Sequence, residues 1–344
     1  MLKIIYLSRN ISKIYSNQYV SSSYQQDVIN ELSNNCNLYN YGPGYKDFNI
    51  KDNIEDIIKK SSFNPDAIVF GHNWLSDDDR SISISLMDNL SLMNLNIPKI
   101  LILNKEYVNL KRKLEYIKNI KFDFILSHHH EVENYKKQTN LKFIFWPFAC
   151  HKERFLSRDD KKEVDLFFSG ILQNQYKHAH QSEFRLNCLN QIYHTVFDHP
   201  LLKRRKFKKY NIIWNSVPRT LKGRILKKIL GERLFDYDDY AKLIKGSKIV
   251  INSPSPIGLI SPRYFECMLS KCLIFCEESN LYNNIFDKDS FVILHENAED
   301  LEEKLIFYLN NPKHYEKKTN DAFNEVLSKH TWKNRIDKLL DLIN

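Results

Sequence analysis

Lys248-Ile-Val-Ile-Asn252 runs into Ser253-Pro-Ser-Pro-Ile-Gly-Leu-Ile-Ser261, then into Pro262-Arg-Tyr-Phe-Glu-Cys-Met-Leu-Ser270 and Leu273-Ile-Phe-Cys276. The β-branched run before Asn252 reads as a buried strand. Prolines at 254, 256 and 262, with Gly258 among them, forbid regular structure until Pro262 opens a helix, where the missing N–H costs nothing. Arg263 and Glu266 stand three residues apart on one face of that helix, expected over 262–270, and 273–276 reads as the next strand. Strand, stiff loop, helix start and strand is the geometry in which α/β sheets hold nucleotides. Amides and a guanidinium meet phosphate there, and a carboxylate meets ribose hydroxyls. The plain alternative is a surface ion pair beside a turn.

The rest of the chain repeats the theme. Strand-like runs at 3–8, 36–41, 65–70, 98–103, 122–126 and 143–147 alternate with helical stretches at 24–32, 54–60, 82–93 and 108–118. A second series restarts at Val164 and continues through 248–252, 273–276 and 291–294, with helices at 181–192, 238–245, 298–310 and 313–328. Such alternation implies parallel, doubly wound sheets with right-handed crossovers. The expected architecture is α/β, with two Rossmann-like domains. The first covers 1–155, the second 156–328 with a basic insertion at 201–233, and a terminal crossover helix at 329–344 is expected to pack back on the first domain.

With 344 residues, 42% of them hydrophobic, the chain can bury two cores. No apolar run approaches the roughly 20 residues of a membrane span. The start, Met1-Leu-Lys-Ile-Ile-Tyr, lacks a signal peptide's apolar region, so a cytoplasmic location is expected. Six scattered cysteines without a CxxC read as reduced core thiols, and a zinc site is only weakly signalled. The net charge is +9, yet residues 201–233 hold twelve Lys and Arg against Glu232 alone, leaving −2 for the remainder. A charge so concentrated suits an anionic partner. Leu221, Ile225, Ile229 and Leu230 form an apolar stripe within it. Two readings stay open: a peripheral contact with an anionic membrane on its inner face, or a stripe packed on its own domain. No nucleic-acid recognition motif accompanies the charge, so no specific nucleic-acid partner is expected.

Arg263-Tyr-Phe-Glu266 followed by a small apolar helix resembles the arginine and Phe-Glu signature of CgeB-like (spore-maturation-like) glycosyltransferases of the GT-B fold. His330-Thr-Trp-Lys-Asn-Arg335 is similar to that family's terminal helix, Gly42-Pro-Gly44 to a turn of its first domain, and 147–155 to its interdomain linker. The resemblance implies a transfer from a nucleotide-diphosphate sugar, UDP- or GDP-linked, to a hydroxyl of a glycan, a lipid-linked glycan or a protein. It implies a cleft between the domains and no required cofactor or metal, so Asp77-Asp-Asp79 reads as a solvated turn. Glu266 would lie by the donor ribose and Arg263 by the diphosphate, with Ser261, Gly170 and Lys177 completing the donor side.

Related glycogen-synthase-like enzymes carry another glutamate eight positions earlier, where this chain has Gly258. They also carry a histidine after the strand at 97–103, where this chain has Asn104, Lys105 and Glu106. Glu106 is therefore one candidate base, His72 another, with His128 and Asn104 as acceptor-side candidates. Each of these polar strand-end residues has the alternative role of capping a helix. The competing functions are a non-catalytic sugar-nucleotide or glycan-binding module and a polyol-phosphate transferase on the same scaffold.

Overall fold

The computed structural model describes residues 1–14, 23–78, 81–87, 90–92, 95–158, 160–172, 183–233, 235–255, 258–286 and 290–343. The chain divides into two compact units, Met1–Pro147 with Trp332–Asn344, and Phe148–Thr331.

The first unit is a parallel six-stranded sheet in the order β2-β1-β3-β4-β5-β6. Its strands are β1 (Lys3–Leu7), β2 (Asn37–Tyr41), β3 (Ala67–Phe70), β4 (Lys99–Leu103), β5 (Phe124–Ser127) and β6 (Phe143–Phe145), and its helices α1 (Ile11–Ile14), α2 (Ser23–Asn35), α3 (Ile54–Ser61), α4 (Leu110–Ile120) and α5 (Val132–Thr139). β3 and β4 are buried at every residue. That is why they read as continuous apolar runs rather than as alternation. Asn53 opens α3 with a reciprocal cap, its side chain accepting from the Asp56 N–H while Asp56 accepts from the Asn53 N–H. At Gly42, with φ +145°, a β-carbon would lie 2.1 Å from the Ser8 carbonyl oxygen, so the turn after β2 requires glycine.

The terminal helix (Trp332–Asp341) packs against α2, as expected. Its buried Arg335 donates from Nε to the Pro147 carbonyl at 2.7 Å, and the Trp146 indole donates to the Arg335 carbonyl at 3.0 Å.

The second unit holds a parallel sheet in the order β10-β7-β11-β12-β13 and an antiparallel hairpin, β8-β9. In chain order its elements are α6 (Lys152–Phe155), β7 (Val164–Ile171), α7 (Phe184–Ile192), β8 (Tyr193–Val196), β9 (His199–Lys203), β10 (Ile212–Val217), α8 (Leu221–Ile229), α9 (Tyr237–Lys245), β11 (Ser247–Ile251), α10 (Pro262–Leu269), β12 (Leu273–Glu277), β13 (Phe291–Leu294), α11 (Leu301–Asn310) and α12 (Pro312–Lys329). All six cysteines are buried and none is in a disulfide. Among the described residues no helix is long and apolar enough to cross a membrane.

Three expectations are corrected. The helix expected at 82–93 does not form among the described residues there. Ser81, Ser83 and Ser85 each donate to the carbonyl two residues ahead, and Leu75 bridges Ser85. Serine hydroxyls that bond nearby backbone compete with the helix, and Met87, Leu90 and Leu92 still reach the core. The basic segment 201–233 is no insertion, since its β10 is the edge strand paired to β7 from Ile212↔Leu166 to Val217↔Ile171. Asp77 is no solvated turn residue either: it pairs with Lys113 at 2.9 Å and Lys105 at 3.4 Å, while Asp79 lies outside the described residues.

Lys113 is fully buried on α4 and also donates to the carbonyls of Asn104 at 2.8 Å and Lys105 at 3.2 Å. It thereby fixes the loop after β4, in which Lys105 has φ +46°. Lys113→Met would keep the stem's bulk and strand these acceptors. It is expected to lower unfolding stability by about 3 kcal/mol, read as a shifted urea midpoint at unchanged slope.

Candidate functional site

In the second unit the carboxyl ends of β7 and β11 carry two guanidinium groups held by neutral partners. Arg263, in the first turn of α10, donates from Nε to the Tyr240 hydroxyl at 2.9 Å, its guanidinium 5.5 Å from that ring's centre. Tyr240 in turn donates to Glu266 Oε2 at 2.9 Å. Among the described residues no oxygen accepts from the two terminal nitrogens of Arg263. Gly170 at the end of β7 leaves room for them, since a β-carbon there would lie 3.2 Å from Nη1.

The second guanidinium is Arg185, in the first turn of α7. Its Nε donates to the Ser253 hydroxyl, one terminal nitrogen to the Ile171 carbonyl at 2.8 Å and the other to the Ser253 carbonyl at 3.4 Å. Burial, and after it the charge of Arg263, pulls the Arg185 pKa down to about 10. The two cations therefore destabilise one another, and an anion between them would relieve both. Burial also works against the charge of Arg263, but Tyr240, and after it Cys267 and Glu266, favour that charge, and together they raise the pKa.

Ser261 is the N-cap of α10, with extended backbone and no capping bond from its hydroxyl, and Pro262 follows in the first turn. The helix start is thus turned toward the same strand ends, with the dipole's positive pole there. Asn252, at the end of β11, is buried with its amide nitrogen unmatched among the described residues. Lys177, expected on this side, lies outside the described residues.

Glu266 is buried, and burial lifts its pKa to about 7 against the opposing bonds from Tyr240 and Tyr237 and the charge of Arg263. It is linked to Arg263 through Tyr240 rather than forming the surface ion pair that spacing alone allowed.

In the first unit the strand ends bring together His72 after β3, Asn104 and Glu106 after β4, and Ser127 and His128 at β5. His72 is 2% exposed and neither ring nitrogen has a hydrogen-bond partner among the described residues. Its ring stacks on His128 at 5.0 Å and meets Tyr24 at 5.2 Å, Trp146 at 6.1 Å and Trp332 at 6.3 Å edge or tilted. Burial, then His128, holds its pKa well below the ordinary value, so it is neutral.

His128 bonds through Nδ1 to the Trp146 carbonyl at 2.8 Å, which puts the proton on Nδ1, and burial takes its pKa to about 3. Asn104 Oδ1 accepts from the Tyr24 hydroxyl at 3.4 Å. Glu106, 2% exposed, accepts from the Ser127 hydroxyl at 2.9 Å, and burial raises its pKa. In this conformation neither Glu106 nor His72 presents a titrating atom to solvent; Glu106 is tied to Ser127, and the His72 ring makes ring contacts only.

His129, His130 and Glu131 bring one ligand atom each within 4.8 Å of one another. The His129 Nδ1, however, accepts from the Glu131 N–H at 3.2 Å, so the cluster closes a turn.

The described chain aligns over its whole length with solved structures. The sucrose-phosphate synthase of Thermosynechococcus elongatus covers 99% of this chain and 98% of its own at 10% identity and a TM-score of 0.64. The fold is GT-B. Anabaena HepE, in complex with UDP and glucose, shares that fold over 100% and 99% of the two chains at 8% identity and a TM-score of 0.59. So does a putative UDP-N-acetylglucosamine 2-epimerase of Listeria monocytogenes, over 99% and 95% at 9% identity and 0.60. Residues 200–341 match a family model described as glycosyl transferase-like. No curated protein matches the chain by sequence.

Arg185 was not singled out from the sequence. Its partner Ser253 lies 68 residues away, and only the pairing of β7 with β11 joins them. The raised pKa of Glu266 yields a pH test. The native state keeps this proton between the ordinary 4.5 and about 7, where the unfolded chain has lost it. Stability therefore falls as pH rises through that window, by roughly 3 kcal/mol at most. Glu266→Gln has no proton to lose, and the difference between wild-type and variant unfolding curves across the window is expected to carry that slope.

Proposed function

We propose that this protein is a glycosyltransferase that moves a sugar from a nucleotide-diphosphate donor to a hydroxyl group of a glycan, lipid-linked glycan or protein acceptor. The observation that carries the reading is the pair of guanidinium groups, Arg185 and Arg263, that no carboxylate bonds among the described residues, at the carboxyl ends of a parallel sheet. Ligands bind at such strand ends, and a diphosphate fits two forked cations and a helix start. A UDP-sugar is the favoured donor class, since HepE was crystallised with UDP-glucose and the T4 phage enzyme BGT likewise.

In the reaction the bond from the anomeric carbon to the diphosphate oxygen breaks, and the acceptor oxygen bonds that carbon. The nucleoside diphosphate leaves with the electron pair, and the acceptor's proton passes to a base or to the leaving phosphate. Arg263 and Arg185 stabilise the charge that grows on the leaving group, so no metal is needed for that step. Gly170 and Ser261 shape the phosphate side, and Lys177 remains a candidate there. Glu266, tied to Arg263 through Tyr240, is assigned to the ribose side. The CgeB-like placement rests on the Arg263 to Glu266 motif and the 330–335 ending.

A second reading is a non-catalytic sugar-nucleotide-binding module, favoured by Gly258 in place of a glutamate and by the enclosure of Glu106 and His72.

Arg263→Ala and Arg185→Ala are each expected to weaken UDP binding by on the order of 10- to 100-fold in calorimetry, the worth of a charge-assisted hydrogen-bond set. Wild-type affinity in both would remove the donor assignment. Slow release of UDP or GDP from a panel of sugar nucleotides separates a transferase from a module, which binds without release.

A further inference from the structure

Helix α8 is turned inside out. Its buried residues are Gly223 and Lys227, while Leu221, Ile225, Ile229 and Leu230 are 71%, 50%, 75% and 54% exposed. Successive residues advance by 100° around a helix, so 221, 225 and 229 form one stripe and 223 and 227 lie on the opposite side.

Specific contacts fix this orientation. A β-carbon on Gly223 would stand 2.0 Å from the Phe197 carbonyl oxygen, so the helix presses its glycine face onto the hairpin turn. Thr220 donates to that carbonyl at 2.8 Å and caps the helix by accepting from the Gly223 N–H at 3.0 Å. Lys227 donates to Asn215 Oδ1 on β10 at 2.7 Å. The packing reading of the stripe is therefore overturned: the polar side is used inward and the apolar side faces out. The neighbouring β9 adds Leu201 and Leu202, 57% and 65% exposed. Lys222, Arg224 and Lys228 are exposed on α8 itself, and Arg205, Lys206, Lys208 and Lys209 just after β9.

We propose that α8 and the β8–β9 hairpin form a docking surface for an anionic lipid bilayer, the exposed leucines and isoleucines entering the headgroup boundary and the flanking lysines and arginines meeting lipid phosphate. Charge complementarity selects this occupant. Residues 201–233 carry twelve cations against one carboxylate, and an apolar stripe edged by cations suits an interface that is apolar beneath and negative at its surface. A nucleic acid would use the charge and leave four large aliphatic side chains in water. The inference is independent of the donor reading, since it uses none of the residues assigned to the nucleotide.

The test is co-sedimentation of the full chain with vesicles of phosphatidylcholine alone or mixed with phosphatidylglycerol. The protein is expected to pellet with the mixed vesicles, less so as salt rises, and to stay in solution with neutral ones. Leu221→Ser, Ile225→Ser and Ile229→Ser combined are expected to lower the partition coefficient by at least about tenfold. Lys222→Glu with Lys228→Glu is expected to do the same. Because all five side chains are exposed, both variants should keep the wild-type unfolding midpoint and UDP affinity, which separates lost docking from lost fold. Equal partition into neutral and anionic vesicles would overturn the proposal. So would unchanged binding of the serine variant, release by inorganic phosphate beyond that by chloride at equal ionic strength, or a patch that serves only an oligonucleotide or a second copy of the chain.

Discussion

Two guanidinium groups near one another repel, and a fold tolerates that only where neighbours hold each in place without cancelling its charge. Here the restraints are a phenol, a hydroxyl and carbonyl oxygens: Tyr240 for Arg263, and Ser253 and Ile171 for Arg185. Glu266 acts on Arg263 and Glu277 on Arg185, but Glu266 is buried and drawn toward its protonated form, and among the described residues no carboxylate bonds either guanidinium. The positive field at the ends of β7 and β11 is left over for an anion, and the functional assignment depends on that surplus. Had Glu266 faced the guanidinium directly, the same motif would be an ordinary ion pair.

The first unit solves the opposite problem, which is how to keep polar loops rigid at the ends of fully buried strands. Lys113 reaches from α4 to two carbonyls and Asp77, and Ser127 bonds Glu106. The histidines after β3 and β5 stack among Tyr24, Trp146 and Trp332 and stay neutral. Interior electrostatics thus remove the titrating atoms of Glu106 and His72 from water, whatever their suitability by residue type.

The strands were legible because a sheet buried on both faces needs continuous β-branched and apolar runs, and β1, β3, β4 and β5 show them, whereas the edge strand β2, Asn37-Leu-Tyr-Asn-Tyr41, is mostly half-buried and mixed. Arg263 and Glu266 were legible because both belong to one short helix start. Arg185 was not, for its role comes from a strand pairing between distant segments. The 81–92 stretch misled because Ile and Met recur in it at a spacing compatible with a helix, while the serines between them favour local backbone bonds. For α8 the pattern gave the stripe but not its direction, which is set by a glycine against Phe197 and a lysine against Asn215. Burial reverses the naive chemistry at Glu106 and His72, and burial is a property of the whole packing rather than of any short window.

The first unit is assembled from both ends of the polypeptide, with Arg335 and Trp332 among its buried side chains. During synthesis the six-stranded sheet emerges first but lacks the cover that shields Trp146 and the Pro147 carbonyl. Phe148–Thr331 is synthesised in full before Trp332–Asp341 can seal its elder neighbour. A chain cut before Trp332 would therefore keep every residue of the second unit and leave the first one unsealed.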